Sequence, residues 1–230
     1  MGAAVVDEKS LLSDRQRDDL LDWIGQRPLN GRPLRAFLPT MAFAALRPQE
    51  ALALRVRDAR LPDEGPGALV IHSRRLAYGH EEADGAGESR VVPACRALVE
   101  VLRAEVARRG LRPDDRLCTR DDGRPLSGAD YRRAWDDARK AVLEAHEIDS
   151  PLGKRVSDLR DARIATWLSG HRTALGVFKV AERIGVSAPS LAGRFPHCFQ
   201  ASGEVSNGLI EASFALADLH CEAKRDALNP

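Results

Sequence analysis

Residues 45–58 are "ALRPQEALALRVRD", a stretch that combines a turn, a proline and the apolar pattern of a short helix. Pro48 suits the first turn of a helix, because its fixed φ and missing N–H cost nothing there. Arg47 lies at the turn just before this helix. Glu50 follows three residues later, where its carboxylate is a natural partner for the arginine. The stretch therefore predicts a short helix that starts beside a paired arginine.

Further helices are predicted on both sides of this stretch. Ser13 and Gln16 form a capping-box pattern, and the apolar spacing that follows predicts a helix over about 13–27. The apolar run at 33–46 predicts a buried helix that is bent at Pro39. Other helices are predicted over 94–109, from Ser127 to about 146, and over 156–170 and 173–185, the last two ending at glycine.

Between these helices the sequence acquires β character. "GALVIHSRRLAYG" (67–79) and "ESRVVPA" (88–94) are rich in β-branched residues and flank a polar connection. They predict a small antiparallel sheet at about 59–93. The fold class is therefore mainly α with a small antiparallel β-sheet (α+β), in one domain over 1–230 with a core at about 10–200.

Composition restricts the class of protein. Of the 230 residues, 43% are hydrophobic and 30% are charged, which is typical of a soluble globular chain. No apolar run of about 18 residues predicts a membrane span, and the N-terminus lacks a signal-peptide pattern, so we expect a cytoplasmic protein. No cofactor or metal site is predicted, because no two cysteines have metal-binding spacing: Cys95, Cys118, Cys198 and Cys221.

Charge is unevenly distributed along the chain. The net charge of +1 argues against strong non-specific binding to nucleic acid. However, residues 151–200 contain eight Lys/Arg against three Asp/Glu, whereas 201–230 contain two against five. The ordinary explanation is that these charges solvate helix faces, and the alternative is a basic surface followed by an acidic segment. The segment at about 204–227 is also amphipathic, which predicts a C-terminal helix within 203–230.

Two arginines are candidates for binding phosphate. Arg47 lies at a turn, and Arg160 lies in the first turn of the helix predicted from "SDLRDARIATWL" (157–168). Arginine stays charged at neutral pH, and its planar fork of donors matches phosphate oxygens. Taken singly, each is more often an exposed charge or a salt-bridge partner. Two that converge from distant segments would hold one phosphate.

Four fragments in order give a resemblance to a known family. They are "ALRPQEALALRVRD", "ESRVVP", "DLRDARIAT" and "GVSAPSLAGRFPH". Through these four fragments the sequence resembles the catalytic domain of tyrosine recombinases, the phage-integrase family, over about residues 10–200. In that family two arginines hold the scissile phosphate, a hairpin lysine and histidines assist proton transfer, and a tyrosine attacks the phosphorus. The resemblance implies that Arg47 and Arg160 bind phosphate and that Glu50 supports Arg47.

The chain departs from the family pattern at the groups that do chemistry. Ser157 replaces a histidine, Val186 replaces the histidine of a Gly-His pair, and no lysine lies in the hairpin. Phe195 stands where the family has its tyrosine, so the nucleophilic oxygen is absent. The resemblance therefore implies a pseudoenzyme, that is, an inactive recombinase that still binds double-stranded DNA. Arg75, Arg90 and Arg194 are further candidate DNA contacts.

Two other hypotheses remain open from the sequence. Residues 180–195 resemble a helix-turn-helix of bacterial repressors, with Leu191 and Phe195 as core anchors and Ser187, Ser190 and Arg194 near the major groove. Alternatively, the chain is a protein-interaction module that no longer binds DNA. Arginines neutralised by carboxylates such as Glu50 or Asp161 would favour that module.

The resemblance also sets expectations about partners. It implies a transcriptional regulator or accessory recombination factor, associated with the nucleoid if it binds DNA. Residues 1–12 are too short for the separate N-terminal domain that helps such enzymes encircle DNA, so we expect weak, salt-sensitive binding. The helix at 203–230 would dock on a second protomer as a homo-oligomer, or fold back as an autoinhibitory tail.

Overall fold

The computed structural model describes residues 4–27, 32–72, 89–170 and 173–199. The chain divides into two compact units: Asp7–Ile164 forms one, and Met1–Val6 with Ala165–Pro230 forms the other. The boundary falls within a helix that starts at Asp158 and ends at Gly170. The single domain expected over 1–230, with its core at 10–200, stays a prediction.

Helices make up most of the described chain. In the larger unit, α1 and α5 pack together, and α2 packs on α1, α3 and α4. Helix α7 begins in this unit and ends in the other, which also contains α8 and α9. The helices are α1 (Asp14–Gly25), α2 (Leu34–Ala44), α3 (Pro48–Ala53), α4 (Arg96–Arg109), α5 (Gly128–Val142), α6 (Ala145–Ile148), α7 (Asp158–Gly170), α8 (Ala174–Ile184) and α9 (Ala188–Arg194).

In the described residues, the larger unit also contains a three-stranded antiparallel sheet. Its strands are β1 (Ala59–Arg60), β2 (Gly67–His72) and β3 (Ser89–Ala94), in the order β1-β2-β3. Leu69 pairs with Val92, and both side chains are buried, whereas Val91 on the opposite face is 56% exposed. The predicted fold class, mainly α with a small antiparallel sheet at about 59–93, is confirmed.

The start of α1 follows from its capping box. The Ser13 hydroxyl accepts a hydrogen bond of 3.2 Å from the N–H of Gln16, and the Gln16 side chain accepts one of 2.9 Å from the N–H of Ser13. These two bonds satisfy donors that have no partner within the helix. Leu20 and Ile24, one turn apart, then face the core. The predicted helix start at residue 13 is therefore confirmed.

Helix α5 is shorter than the sequence predicts. Ser127 caps it as expected, but it ends at Val142 instead of continuing to about residue 146. Leu143 is extended, which buries its side chain. The N–H of Glu144 then bonds the Glu147 carboxylate at 2.9 Å, so a new capping box starts α6. Burial of Leu143 and this second cap compete successfully with helical continuation.

Among its described residues, the smaller unit contains α8 and α9, which are joined by a tight turn. Gly185 has a φ of 67°, the left-handed conformation that ends a helix most cheaply at glycine, and α8 ends there as predicted. Ser187 then caps α9. Helices α8 and α9 pack on each other. The side chains buried here include Val177, Val180, Ala181, Ile184, Ala188, Leu191 and Phe195.

Two predicted features lie outside the described residues: the C-terminal helix at 203–230 and Arg75. Throughout the parts of the chain that are described, every helix is too short or too polar to cross a lipid bilayer. Pro39 lies inside α2, which continues through it from Leu34 to Ala44.

Candidate phosphate-binding site

Arg47 occupies the N-cap position of α3 and is held there by Glu50. Its main-chain N–H donates to Glu50 Oε2 at 2.8 Å, and its Nη1 donates to Glu50 Oε1 at 2.9 Å. One carboxylate therefore fixes both the backbone and the side chain of the arginine. The Arg47 side chain remains 40% exposed. An exposed guanidinium in a fixed orientation is well suited to contact an anion.

A second arginine reaches the same carboxylate from the sheet. Arg90, on β3, places Nη2 2.8 Å from Glu50 Oε2, and its side chain is only 9% exposed. Glu50 itself is 14% exposed, so two guanidiniums share one nearly buried carboxylate. This geometry favours Arg90 as a support for Glu50. A direct contact of Arg90 with DNA stays a prediction.

Arg160 joins the same region from α7. Its Nε donates a hydrogen bond of 2.9 Å to the carbonyl of Ala45, two residues before Arg47. Its Nη1 lies 3.9 Å from Asp161 Oδ1, and the residue is 5% exposed. The two arginines singled out from the sequence thus meet at one short stretch of main chain. Arg160 lies at the base of this site, and Arg47 lies nearer its surface.

The sequence analysis missed a third side chain at this stretch, Arg163. It lies one turn after Arg160, and its Nε donates a hydrogen bond of 3.1 Å to the carbonyl of Phe43. Residues three apart share a helix face. The spacing of Arg160 and Arg163 could therefore have indicated that Arg163 faces the same region. Arg90 was named from the sequence as a candidate DNA contact, and its inward direction follows from the period of two in β3, where Arg90, Val92 and Ala94 face inward.

The start of α7 contains Ser157 and a buried carboxylate. The carbonyl of Ser157 accepts hydrogen bonds from the N–H groups of Arg160 and Asp161 at 3.0 and 3.1 Å. Asp158 is 1% exposed and accepts from the N–H and Nε of Arg155 at 2.8 and 3.2 Å. Burial raises the pKa of Asp158, although its hydrogen bond with Arg155 opposes the change. Ser157 itself has no group that titrates near neutrality.

In the smaller unit, Phe195 is a core side chain. It is fully buried, with its ring centroid 5.7 Å from the Arg194 guanidinium carbon and 6.0 Å from the His197 ring centroid. The carbonyl of Arg194 accepts a hydrogen bond of 2.8 Å from the N–H of Val6. Val186 closes the end of α8, since its N–H bonds the carbonyl of Ala181 at 3.1 Å. Burial and turn formation account for Phe195 and Val186.

The local geometry of residues 180–195 matches part of the helix-turn-helix hypothesis. Leu191 and Phe195 are buried, as that hypothesis expects. Ser187 and Ser190, however, bond each other through their hydroxyls at 2.8 Å, and Ser187 also caps α9. Helix α9 has seven residues. DNA contact by Ser187, Ser190 and Arg194 stays a prediction.

A cavity of about 500 Å³ lies elsewhere in the larger unit, between α1, the start of α2 and α5. Its lining includes Trp23, Arg27, Arg133 and Asp137, and none of the predicted site residues. In the described ranges, no three His, Cys, Asp or Glu side chains are grouped so that they would hold a metal ion.

Comparison with solved structures identifies the fold. The XerH site-specific recombinase, in a pre-cleavage complex with its difH substrate, matches with a TM-score of 0.59 at 17% identity over 80% of this chain. The XerA recombinase matches with 0.59 at 12% over 93%, and the Tn1549 transposon integrase, in complex with circular intermediate DNA, with 0.61 at 14% over 90%. The chain has the fold of a tyrosine recombinase catalytic domain.

At these identities the likeness concerns the fold. No protein-family model matches the sequence, and no curated protein matches it. The chain spans 49% of the XerH recombinase, 65% of the XerA recombinase and 68% of the Tn1549 integrase fragment. It therefore matches about half to two thirds of each recombinase. The order of sequence fragments that suggested this fold is consistent with the result.

Proposed function

We propose that this chain binds double-stranded DNA through Arg47 and Arg160 and does not catalyse strand exchange. The observation that carries the proposal is the bond from Arg160 to the Ala45 carbonyl, which brings the arginine of α7 next to the segment that presents Arg47. Two of the recombinases that share this fold were solved in complex with DNA. The likeness supports the same class of ligand here.

The charges of the site suit a phosphate group. Arg47 is fixed by Glu50 and half exposed, so little side-chain entropy is lost when it contacts an anion. Arg160 binds the backbone two residues before Arg47 and adds positive potential there at low exposure, where water screens less. Phosphate contacts of this kind are independent of sequence and sensitive to salt.

The inactivity rests on missing chemical groups. Phe195 provides no oxygen, and covalent catalysis requires a nucleophile. Neither Ser157 nor Val186 titrates near neutral pH, so neither replaces a proton-transfer histidine. Of the two tyrosines, Tyr78 lies outside the described residues, and Tyr131 packs against the Phe37 ring at 4.9 Å.

Binding without cleavage is the behaviour of a regulator or an accessory factor. A protein that occupies a DNA site and leaves it intact would block or organise other proteins there. The role of this chain is therefore that of a transcriptional regulator or accessory recombination factor in the cytoplasm, associated with the nucleoid. A pool of genomic duplex fragments, selected at low and at physiological salt, identifies the site.

The decisive experiment compares Arg47→Gln with the wild-type chain in the same selection. Arg124→Gln is the matched control, because Arg124 is 73% exposed and pairs with Asp122 in its own turn. We expect Arg47→Gln to lower affinity about tenfold and to reduce the salt slope by about 1, whereas the control retains both. Absence of salt-sensitive duplex binding in the wild-type chain would refute the DNA part. A covalent adduct would refute the inactivity.

One observation favours a second function, that of a protein-interaction module. Glu50 pairs with both Arg47 and Arg90, and Asp161 lies near Arg160, so carboxylates accompany these arginines. Arginines neutralised in this way would hold the chain's own backbone in place and would not bind DNA. The selection above separates the two functions, since a module would retain its fold and show no duplex binding at any salt concentration.

Self-association through 203–230 is a separate part of the proposal. The amphipathic pattern of that segment supports docking on a second protomer or on its own basic face. Deleting 203–230 and measuring mass in solution together with DNA affinity distinguishes them. Loss of a dimer indicates the first, and tighter DNA binding by a monomer indicates the second. No change in mass or affinity would exclude both.

A further inference from the structure

The segment that presents Arg47 contains an unusual backbone turn. Helix α2 ends at Ala44, and Ala45 has φ 51° and ψ 33°. Within the described residues it is the one non-glycine residue with a positive φ. The left-handed region disfavours residues that carry a Cβ, so neighbouring contacts must hold this turn. Arg47 follows after a single residue, and its direction depends on that turn.

Two arginines of α7 hold the end of α2 across the turn. Arg160 donates to the carbonyl of Ala45 at 2.9 Å, and Arg163 donates to the carbonyl of Phe43 at 3.1 Å. The last carbonyls of a helix lack partners within the helix and form the negative end of its dipole. The two guanidiniums therefore bind one helix terminus from one face of α7.

Arg163 reaches this position as a half-buried charge beside an aromatic ring and a second arginine. Its guanidinium carbon lies 6.0 Å from the Phe43 ring centroid, and that of Arg17 lies 4.9 Å from the same centroid. Burial lowers the pKa of Arg163 and the charge of Arg17 acts in the same direction, whereas Cys95, Asp14 and Asp18 oppose the change. The hydrogen bond to the Phe43 carbonyl offsets part of the cost of burying this cation.

We infer that Arg163 is a positioning residue for the phosphate site. By holding the Phe43 carbonyl, it fixes the turn at Ala45 and so sets where the Arg47 guanidinium lies relative to Arg160. Arg163 acts through the backbone and makes no phosphate contact of its own. The inference rests on the proposed function, because its consequence is measured as DNA affinity.

The salt dependence of duplex binding distinguishes positioning from contact. Each phosphate contact that is lost reduces the slope of log affinity against log salt by about 1, whereas an arginine that is displaced but still neutralises its phosphate weakens binding with little change of slope. The variants are Arg163→Gln, Arg163→Lys, Arg47→Gln and the control Arg124→Gln. Fluorescence anisotropy with one labelled duplex, at four or more salt concentrations, gives both quantities.

We expect Arg163→Gln to weaken binding about tenfold, the equivalent of one charge-assisted hydrogen bond, with the slope unchanged. Arg163→Lys should recover part of the affinity, because its ammonium still donates to a carbonyl. Arg47→Gln should lose about one unit of slope. A slope lost in Arg163→Gln would make Arg163 a contact residue, and an affinity equal to that of Arg124→Gln would remove its role. Either outcome overturns the inference.

A second measurement needs no DNA and separates this inference from the proposed function. In hydrogen exchange of the free protein, Arg163→Gln should reduce the protection of the Ala45 and Leu46 amides, both of which donate to the Thr40 carbonyl. Peptides from α5 serve as the internal control. If the wild-type chain fails to bind duplex while this protection falls, the proposed function is wrong and the backbone tether stands. Unchanged protection in Arg163→Gln overturns the tether itself.

Discussion

The Nε of Arg160 lies 2.9 Å from the carbonyl oxygen of Ala45, a hydrogen bond between residues 115 positions apart. The bond places a buried cation of α7 at the turn that leads to Arg47. Arg47 is in turn fixed by Glu50, which also holds Arg90 of the sheet. Contributions from α3, β3 and α7 thus converge on a segment of a few residues. Arg47 and Arg90 both depend on Glu50, and this shared carboxylate gives the first prediction.

Glu50→Gln should destabilise the chain more than Arg47→Gln. The nearly buried carboxylate serves two guanidiniums and one N–H, so its loss leaves several donors poorly matched, at a cost of about 2 kcal/mol. Arg47 is half exposed, and its loss should cost about 1 kcal/mol or less. Urea unfolding measures both losses of stability. Glu100→Gln, a substitution in an exposed ion pair, is the control. Equal losses for the two variants would show that Glu50 is not shared.

Phe195→Tyr should restore no DNA cleavage. The ring is fully buried, so the new hydroxyl would lack water and destabilise the chain by about 2 kcal/mol. Ser157 and Val186 would still provide no proton transfer. Denaturing gels with a nicked duplex detect any covalent adduct, and Phe195→Leu controls for altered packing. An adduct formed by Phe195→Tyr would mean that the nucleophile is the sole missing group.

Local sequence patterns predicted where helices begin and end better than they predicted which tertiary contacts the helices make. Ser13, Ser127 and Gly185 each determine a terminus through bonds to the next few residues or through a permitted φ, and all three were found from the sequence. The break at Leu143 was missed, because burial of its side chain outweighs the propensity to continue the helix. Propensity is a local quantity, whereas burial depends on the rest of the fold.

The site was predictable only in part. A short pattern placed Arg47 beside Glu50, and family resemblance paired Arg47 with Arg160. Nothing in the sequence connects Arg160 with the Ala45 carbonyl, because that bond depends on how α7 packs at the end of α2. Arg90 was named from the sequence as a DNA contact, but its bond to Glu50 was not, although the strand period places it inward; Arg163 was recoverable because it shares a helix face with Arg160.

Asp130 should stabilise the chain in a pH-dependent manner. Hydrogen bonds from Arg120 and from the N–H of Ser127 lower its pKa from 3.8 to about 2. The folded pKa is depressed, so the contribution is complete above pH 4 and is lost as the pH falls toward 2. Asp130→Asn should cost about 1 kcal/mol at pH 7 and progressively less below pH 4. Urea unfolding of the wild-type chain and of Asp130→Asn across this pH range tests the expectation.

Cys118 should be unreactive in the native chain. Burial raises the pKa of its thiol from 9.0 to about 12, so almost no thiolate exists at pH 8. Cys95 and Cys198 are half-buried and should be alkylated first, as judged by peptide mass spectrometry. The unfolded thiol ionises before the folded one, so the free energy of unfolding should fall as the pH rises from about 9 to 12. Rapid alkylation of native Cys118 would contradict both expectations.

Gly67→Ala should disrupt the sheet that carries Arg90. A Cβ at Gly67 would lie 2.2 Å from the Arg60 carbonyl and 2.9 Å from Val99 Cγ2, so the backbone of β1 or β2 must shift. We expect a loss of about 2 kcal/mol or more. Gly193→Ala is the matched control: its Cβ would meet nothing within 4 Å, and alanine favours a helix by about 0.5–1 kcal/mol.

Because β2 pairs with β3 along Gly67–His72, a shifted strand also displaces Arg90 from Glu50. Thermal unfolding gives the stability, and duplex affinity shows whether the sheet supports the phosphate site. Full affinity in a destabilised Gly67→Ala chain would mean that Arg90 contributes to the fold alone.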